Sequence, residues 1–154
     1  MALLRQATNA IYGGRLEGMV RLEIGPGSEK IGGAGAVYAF NPKADISKDV
    51  FIDIDVPPVP YRPQNFLLAD AHYLPFKSEI FTDMYASHVL EHLRSPHRAI
   101  KEAIRVLAPE GRLHIWVPNW LDRSATLDKT HRWRFSFFSL RRLLRTHGLK
   151  TTAK

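Results

Sequence analysis

Val20-Arg21-Leu22-Glu23-Ile24-Gly25-Pro26-Gly27 is an apolar alternation that stops abruptly at Gly-x-Gly. Alternation with period two is the mark of a β-strand, and the glycines mark a tight turn at its end. Glycine has no Cβ, so backbone at such a turn can approach a ligand closely. In an open parallel sheet, ligands sit beyond the carboxyl ends of the strands. Glu23 at the strand end does not suit a pyrophosphate, because it would repel an anion. It suits a ligand that carries a cationic amine or sulfonium.

Downstream segments repeat the strand-then-turn pattern. Val50-Phe51-Ile52-Asp53-Ile54-Asp55 reads as a second strand, closed by Pro57-Pro58, with a proline-rich loop over 57–63. Strands are also expected at 65–69, 80–87 and 112–117. Apolar residues at 99, 100, 103, 104 and 107 predict a helix over 96–107, and a turn follows at 108–111. A basic amphipathic helix is expected over 138–147 with Gly148 as its cap, and a short helix over 3–12. Three glycines in 32–35 argue against a full helix there. Strands alternating with helices imply an α/β fold: a doubly wound, Rossmann-like, mostly parallel sheet of about five strands.

The chain has 154 residues, which suits a single domain spanning 1–154. Hydrophobic residues at 45% suffice for one core, and 24% charged residues argue against disorder. The absence of cysteine excludes a disulfide scaffold, a thiolate zinc site and a cysteine nucleophile. No apolar run approaches the ~18 residues a membrane helix needs, and no apolar leader follows Met-Ala-Leu-Leu-Arg. A cytoplasmic protein without a membrane partner is therefore expected. The net charge of +7 is uneven: residues 1–111 hold 12 Lys/Arg against 13 Asp/Glu, and 112–154 hold 10 against 2. The basic excess thus lies wholly in the C-terminal part, with consequences for partners.

Asp53 and Asp55 are placed by their spacing on one face of the second strand, where a carboxylate can accept both hydroxyls of a ribose. Asp53 is the preferred residue, with Asp55 and Asp45 as alternatives. After the third strand comes Asp70-Ala71-His72-Tyr73-Leu74-Pro75-Phe76. Asp70 there can accept from an adenine amino group, and the next backbone N–H can donate to a ring nitrogen. His88-x-x-Glu91-His92 matches an inverted zinc-protease pattern. That pattern needs a further carboxylate on a downstream helix. The acidic residues after Glu110 are Asp122 and Asp128, both in a loop-like stretch, so no metal is expected.

Read together, Leu22-Glu23-Ile24-Gly25-Pro26-Gly27, the 70–76 segment, Ala86-Ser87-His88-Val89-Leu90-Glu91-His92-Leu93 and Arg105-Val106-Leu107-Ala108-Pro109-Glu110-Gly111 resemble the class I S-adenosylmethionine-dependent methyltransferases. The resemblance covers roughly 20–149 and points to small methyltransferases with an LPF loop and a VLEHL segment. It implies methyl transfer from S-adenosylmethionine to an unidentified acceptor. The alternative is a non-catalytic cofactor- or nucleic-acid-binding domain of the same fold. Glu23, Gly25 and Gly27 would hold the methionine moiety. Asp53 would take the ribose, Asp70 and Ala71 the adenine, while Ser87 and His88 would line the pocket near the methyl. His131 falls in a segment that resembles the substrate side. His88 and His131 are the candidate bases, because imidazole titrates near neutrality. Departures are a missing third glycine, Thr82 before Asp83 where Phe-Asp is usual, and Pro109-Glu110-Gly111 for Pro-Gly-Gly.

The resemblance also implies seven strands, whereas six residues follow Gly148, too few for two strands of about 5–6 residues each. The sheet is thus expected to be truncated, with the 112–117 strand at an edge that a homodimer covers. Folding of 118–137 back over that edge is the competing outcome. Arg141, Arg142 and Arg145, with nearby aromatics, are candidates for nucleic-acid binding.

Overall fold

The computed structural model describes residues 21–25, 49–56, 65–121 and 127–152. Gly27, Asp45, the 3–12 and 32–35 segments and the whole 57–63 loop lie outside the described residues. Five strands, β1 (Arg21–Ile24), β2 (Asp49–Asp53), β3 (Phe66–Leu68), β4 (Phe81–Ser87) and β5 (Leu107–Trp116), form one sheet in the order β3-β2-β1-β4-β5. Every pairing is parallel. Among the described residues, α1 (Pro96–Val106) follows β4 and α2 (Phe137–Thr146) follows β5. The order reverses direction at β1, so the switch point lies between β1 and β4.

Parallel strands are buried on both faces, and β2 shows it: Val50, Phe51 and Ile52 are consecutive and all buried. Leu22, Ile24, Val50, Ile52, Phe81 and Met84 form the main core with Ala99, Ala103 and Val106 of α1. Burying each of the larger side chains contributes roughly 1.5–3 kcal/mol. A second cluster joins Ala86, Leu90 and Ile100 to Phe135 and to Leu143 of α2.

Local chemistry sets the helix ends. Ser95 caps α1, its hydroxyl accepting from Arg98 N–H, and Pro96 occupies the first turn, where its missing N–H costs nothing. Ser136 and Ser139 form a reciprocal capping box at the start of α2. At its end Gly148 takes φ +79, Leu149 N–H donates to Leu144 O and Gly148 N–H to Arg145 O, a Schellman closure.

Two boundaries differ most from the sequence reading. The 108–111 turn is absorbed into β5, which starts directly after α1 at Leu107. There the step from Phe81 to Asp83 in β4 matches the step from Leu107 to Arg112 in β5, and Glu110 stands at φ +63. This bulge also shifts the phase of β4, so that Phe81 and Met84 are both buried. β2 ends at Asp53, which puts Asp55 in a bend beyond the strand rather than on a shared strand face. Among the described residues no strand pairs with the outer edge of β5, and no helix is long and apolar enough to cross a membrane.

Candidate functional site

The carboxyl ends of β1, β2, β3 and β4 bring together Gly25, Asp53, Asp70 with Ala71, and Ser87 with His88. Gly25 has φ +67, a conformation L side chains avoid, and its N–H donates to Ile52 O at 2.8 Å. A β-carbon built there would lie 2.6 Å from Val89 Cγ2. Asp53 closes β2. Its Oδ1 accepts from the backbone N–H of Asp55 at 3.2 Å, and its carbonyl accepts from Ala69 N–H at 2.9 Å. Asp55 is exposed. Glu23, between the buried Leu22 and Ile24, projects to the opposite face of β1.

The 70–76 segment is locked by contacts the sequence reading missed. Asp70 Oδ1 accepts from both the backbone N–H and the ring Nδ1 of His72. His72 Nε2 accepts from Ser95 N–H at 3.1 Å, so its proton sits on Nδ1 and points at Asp70. Burial pushes the Asp70 carboxyl up, but the hydrogen bonds from the His72 amide and ring, together with the Arg94 charge, outweigh it and hold Asp70 below its ordinary value. Among the described residues Asp70 Oδ2 takes no hydrogen bond, and the side chain is half exposed. Farther along, Glu102 Oε2 accepts from Leu74 N–H at 2.9 Å. Arg105 donates to Phe76 O at 2.8 Å and to Leu74 O at 2.9 Å, and forks onto both Glu102 oxygens. The Arg105 hydrogen bonds hold Glu102 below its ordinary value against the upward push of burial. Arg98 adds a contact over the Tyr73 ring, 3.9 Å from its centroid. A Glu and Arg three apart on a helix was the legible signal for this clamp. Its target, a loop 28–31 residues upstream, was not.

Beyond β4 lies a histidine-rich cluster. His88 adopts φ +54, an uncommon conformation for a side chain of its size, and its N–H donates to Trp116 O at 2.9 Å. Its ring is 62% exposed, whereas the Glu91 side chain is 1% exposed. His88 Nδ1 stands 3.3 Å from Glu91 Oε1 but is not aligned as a hydrogen bond, so both Glu91 oxygens are buried without a hydrogen-bond partner. The Glu91 carbonyl accepts from Arg132 N–H at 2.7 Å and Trp133 N–H at 3.1 Å, and Trp133 Nε1 donates to Leu93 O at 2.8 Å. These bonds pin the 128–135 segment onto the 88–93 loop. They bring His131 to His92, ring centroids 4.7 Å apart. The His131 side chain is 8% exposed and faces Asp128. Of the two histidines in the zinc-protease reading, His92 meets His131, whereas His88 is largely exposed beside Glu91.

The basic helix α2 packs Leu143 inward, with Leu140 and Leu144 against the second cluster. Arg142 and Arg145 are exposed. Arg141 is half-buried and lies over the Phe137 ring at 5.8 Å. The three arginines therefore do not form a single solvated row.

Comparison with known sequences matches residues 22–115 to the family described as a methyltransferase domain. Methyltransferase str2 of Strobilurus tenacellus is 34% identical over 117 residues, covering 70% of this chain and 38% of that protein. The chain thus spans well under half the length of this curated relative. Among solved structures, a SAM-dependent methyltransferase from Aquifex aeolicus aligns with TM-score 0.63 at 19% identity, over 99% of this chain and 80% of its own. One from Thermotoga maritima aligns with TM-score 0.63 at 22% identity, over 97% and 72%. At such identities the structural likeness speaks for the fold.

Proposed function

The chain belongs to the methyltransferase domain family, and we propose that it transfers a methyl group from S-adenosylmethionine to a nucleophilic acceptor. One observation carries this reading: a bare left-handed glycine and two carboxylates stand at the carboxyl ends of three adjacent parallel strands, beside the switch point. The residues present fit the cofactor. Gly25 leaves the β1 end without a side chain. Asp53 can accept from two ribose hydroxyls. Asp70, anchored through Oδ1 by His72, keeps Oδ2 for an adenine amino proton, and the Ala71 N–H follows it in the chain. Glu23 stands two residues before Gly25 and contributes negative charge near a cationic ligand.

When bound, S-adenosylmethionine supplies a methyl on a sulfonium, which an acceptor's lone pair displaces in line. The chain's own part is positioning. Arg105 and Glu102 keep the adenine-side loop in place. Ser87 and His88, at the end of β4, border the side where an acceptor would enter. Where the acceptor carries a proton, His88 is the exposed imidazole placed to take it, with the Glu91 carboxylate behind its Nδ1. His131 is nearly buried and backed by Asp128, which suits it to holding structure or a ligand rather than to meeting the acceptor.

The test is a thermal melt with S-adenosylhomocysteine. Ligand at ~100 times its dissociation constant adds roughly 2.7 kcal/mol to the stability of a protein that binds it. An upward shift that is lost in Asp53→Ala supports the reading. No shift at millimolar ligand overturns it.

A further inference from the structure

We propose that Glu91, His92 and His131 form a binding site for a divalent transition-metal ion of the zinc class, adjoining the strand-end site at His88. One ligand atom from each of these three residues lies within 4.8 Å of the others. Two imidazoles and one carboxylate are a donor set that zinc takes in open, three-ligand sites. The second observation is Glu91 itself. Its side chain is 1% exposed, and neither carboxylate oxygen has a hydrogen-bond partner. A buried carboxylate left in that state is costly, and a cation removes the cost.

The surroundings match what holds metal-ligating histidines. Thr130 Oγ1 donates to Asp128 Oδ1 at 2.6 Å, so at 3.0 Å it can only accept from His92 Nδ1–H. That fixes the His92 tautomer and makes Nε2 the metal-binding atom. Asp128 Oδ2 lies 3.5 Å from His131 Nε2. Asp128 therefore backs the His131 ring directly and the His92 ring through Thr130, an outer-shell arrangement usual for such sites. Bonds of about 2.0–2.2 Å in tetrahedral geometry put ligand atoms about 3.3–3.5 Å apart, so closing the site asks for shifts of about an ångström. Ligation by one Glu91 oxygen leaves the other beside His88. The fourth position stays open to water or another small ligand. The ion would also tie the 128–135 segment to the loop after β4, two stretches that are far apart in sequence.

The experiment uses the untagged full chain, stripped with chelator and titrated with Zn²⁺ alone by calorimetry and with Co²⁺ alone by absorption. The expected result is one equivalent of each, with the intense visible bands of low-coordinate Co²⁺. His131→Gln and His92→Gln should abolish stoichiometric binding while keeping the wild-type circular dichroism. Should either variant fail to fold, Asp128→Asn, which touches no proposed ligand atom of the metal, should weaken Zn²⁺ by about 10–100-fold. His97→Gln removes the other close histidine pair, His97 Nδ1 to His147 Nε2 at 3.0 Å, and should leave binding unchanged. No stoichiometric Zn²⁺ or Co²⁺ uptake by the folded wild type overturns the proposal, as does uptake lost in His97→Gln but kept in His131→Gln and Asp128→Asn.

Discussion

Replacing Gly25 by alanine should destabilise the fold through two separable effects. Gly25 sits at φ +67, where an L side chain costs about 1–2 kcal/mol. Its new β-carbon would lie 2.6 Å from Val89 Cγ2, too close to persist. Relieving such a clash in a packed core costs about 1–3 kcal/mol. The two together give roughly 2–5 kcal/mol. At about 2–4 °C per kcal/mol for a chain near this size, the melting temperature should fall by roughly 4–20 °C. Gly25→Val adds bulk at the same place, so it should lose stability as well as ligand affinity. The clash part is testable alone. Val89→Ala removes the offending methyl, so urea unfolding of both single variants and the double variant should give a favourable coupling of about 1–3 kcal/mol. The backbone part should remain in the double variant. Additivity within about 0.5 kcal/mol would show that Val89 does not meet the new side chain, and the packing of the loop after β4 onto β1 would be wrong.

Glu102 has its folded value lowered, so it contributes stability above its ordinary value of 4.5 that disappears as pH falls through the lower folded value. Glu102→Gln should therefore be less stable than wild type at pH 7, with the gap closing in acid; a gap constant from pH 7 to pH 3 would refute the clamp. His147 is lowered below its ordinary 6.5 by burial and by the charges of His97 and Lys101. The unfolded chain then takes up the proton first, so wild type loses stability as pH falls below about 6.5, and His147→Gln should lose less over that window in denaturant melts. The outer edge of β5 is unpaired among the described residues, Trp116 is 51% exposed, and Tyr85 stacks on His114 at 4.5 Å beside it. We expect two copies to cover this edge, giving a dimer mass by light scattering at micromolar concentration; a monomer mass throughout a dilution series would defeat it.

The alternation and glycines at 22–27, the apolar run at 50–52 and the 3.6 period of α1 made the parallel α/β fold legible, because each reports burial or a turn directly. Turn chemistry was less reliable. Ala108-Pro109-Glu110-Gly111 carries every sign of a turn, yet the chain resolves it as a bulge inside β5, since α1 hands over to the strand without a loop. Asp55 shares the spacing of Asp53 but not its strand, because pairing with β3 stops at Asp53 and Leu68. At the site, single strand-end residues could be placed from local pattern. The Glu102–Arg105 clamp and the approach of His131 to His92 could not, because both are contacts across about 30–40 residues that depend on how loops dock. Glu91 shows the limit most plainly. Its place between leucine and histidine in the VLEHL segment gave no sign that its side chain would be fully buried.

The proposed binding of S-adenosylmethionine at the carboxyl ends of β1, β2 and β3 is open to direct measurement. The direct measurement is a calorimetric titration of S-adenosylmethionine into the full chain and into Asp53→Ala and Asp70→Asn, with folding checked by circular dichroism. Wild type should bind one equivalent, and each variant should bind more weakly by at least about tenfold, the equivalent of losing roughly 1.4 kcal/mol. A folded wild-type protein that takes up no S-adenosylmethionine, or variants that bind it as tightly as wild type, would contradict it.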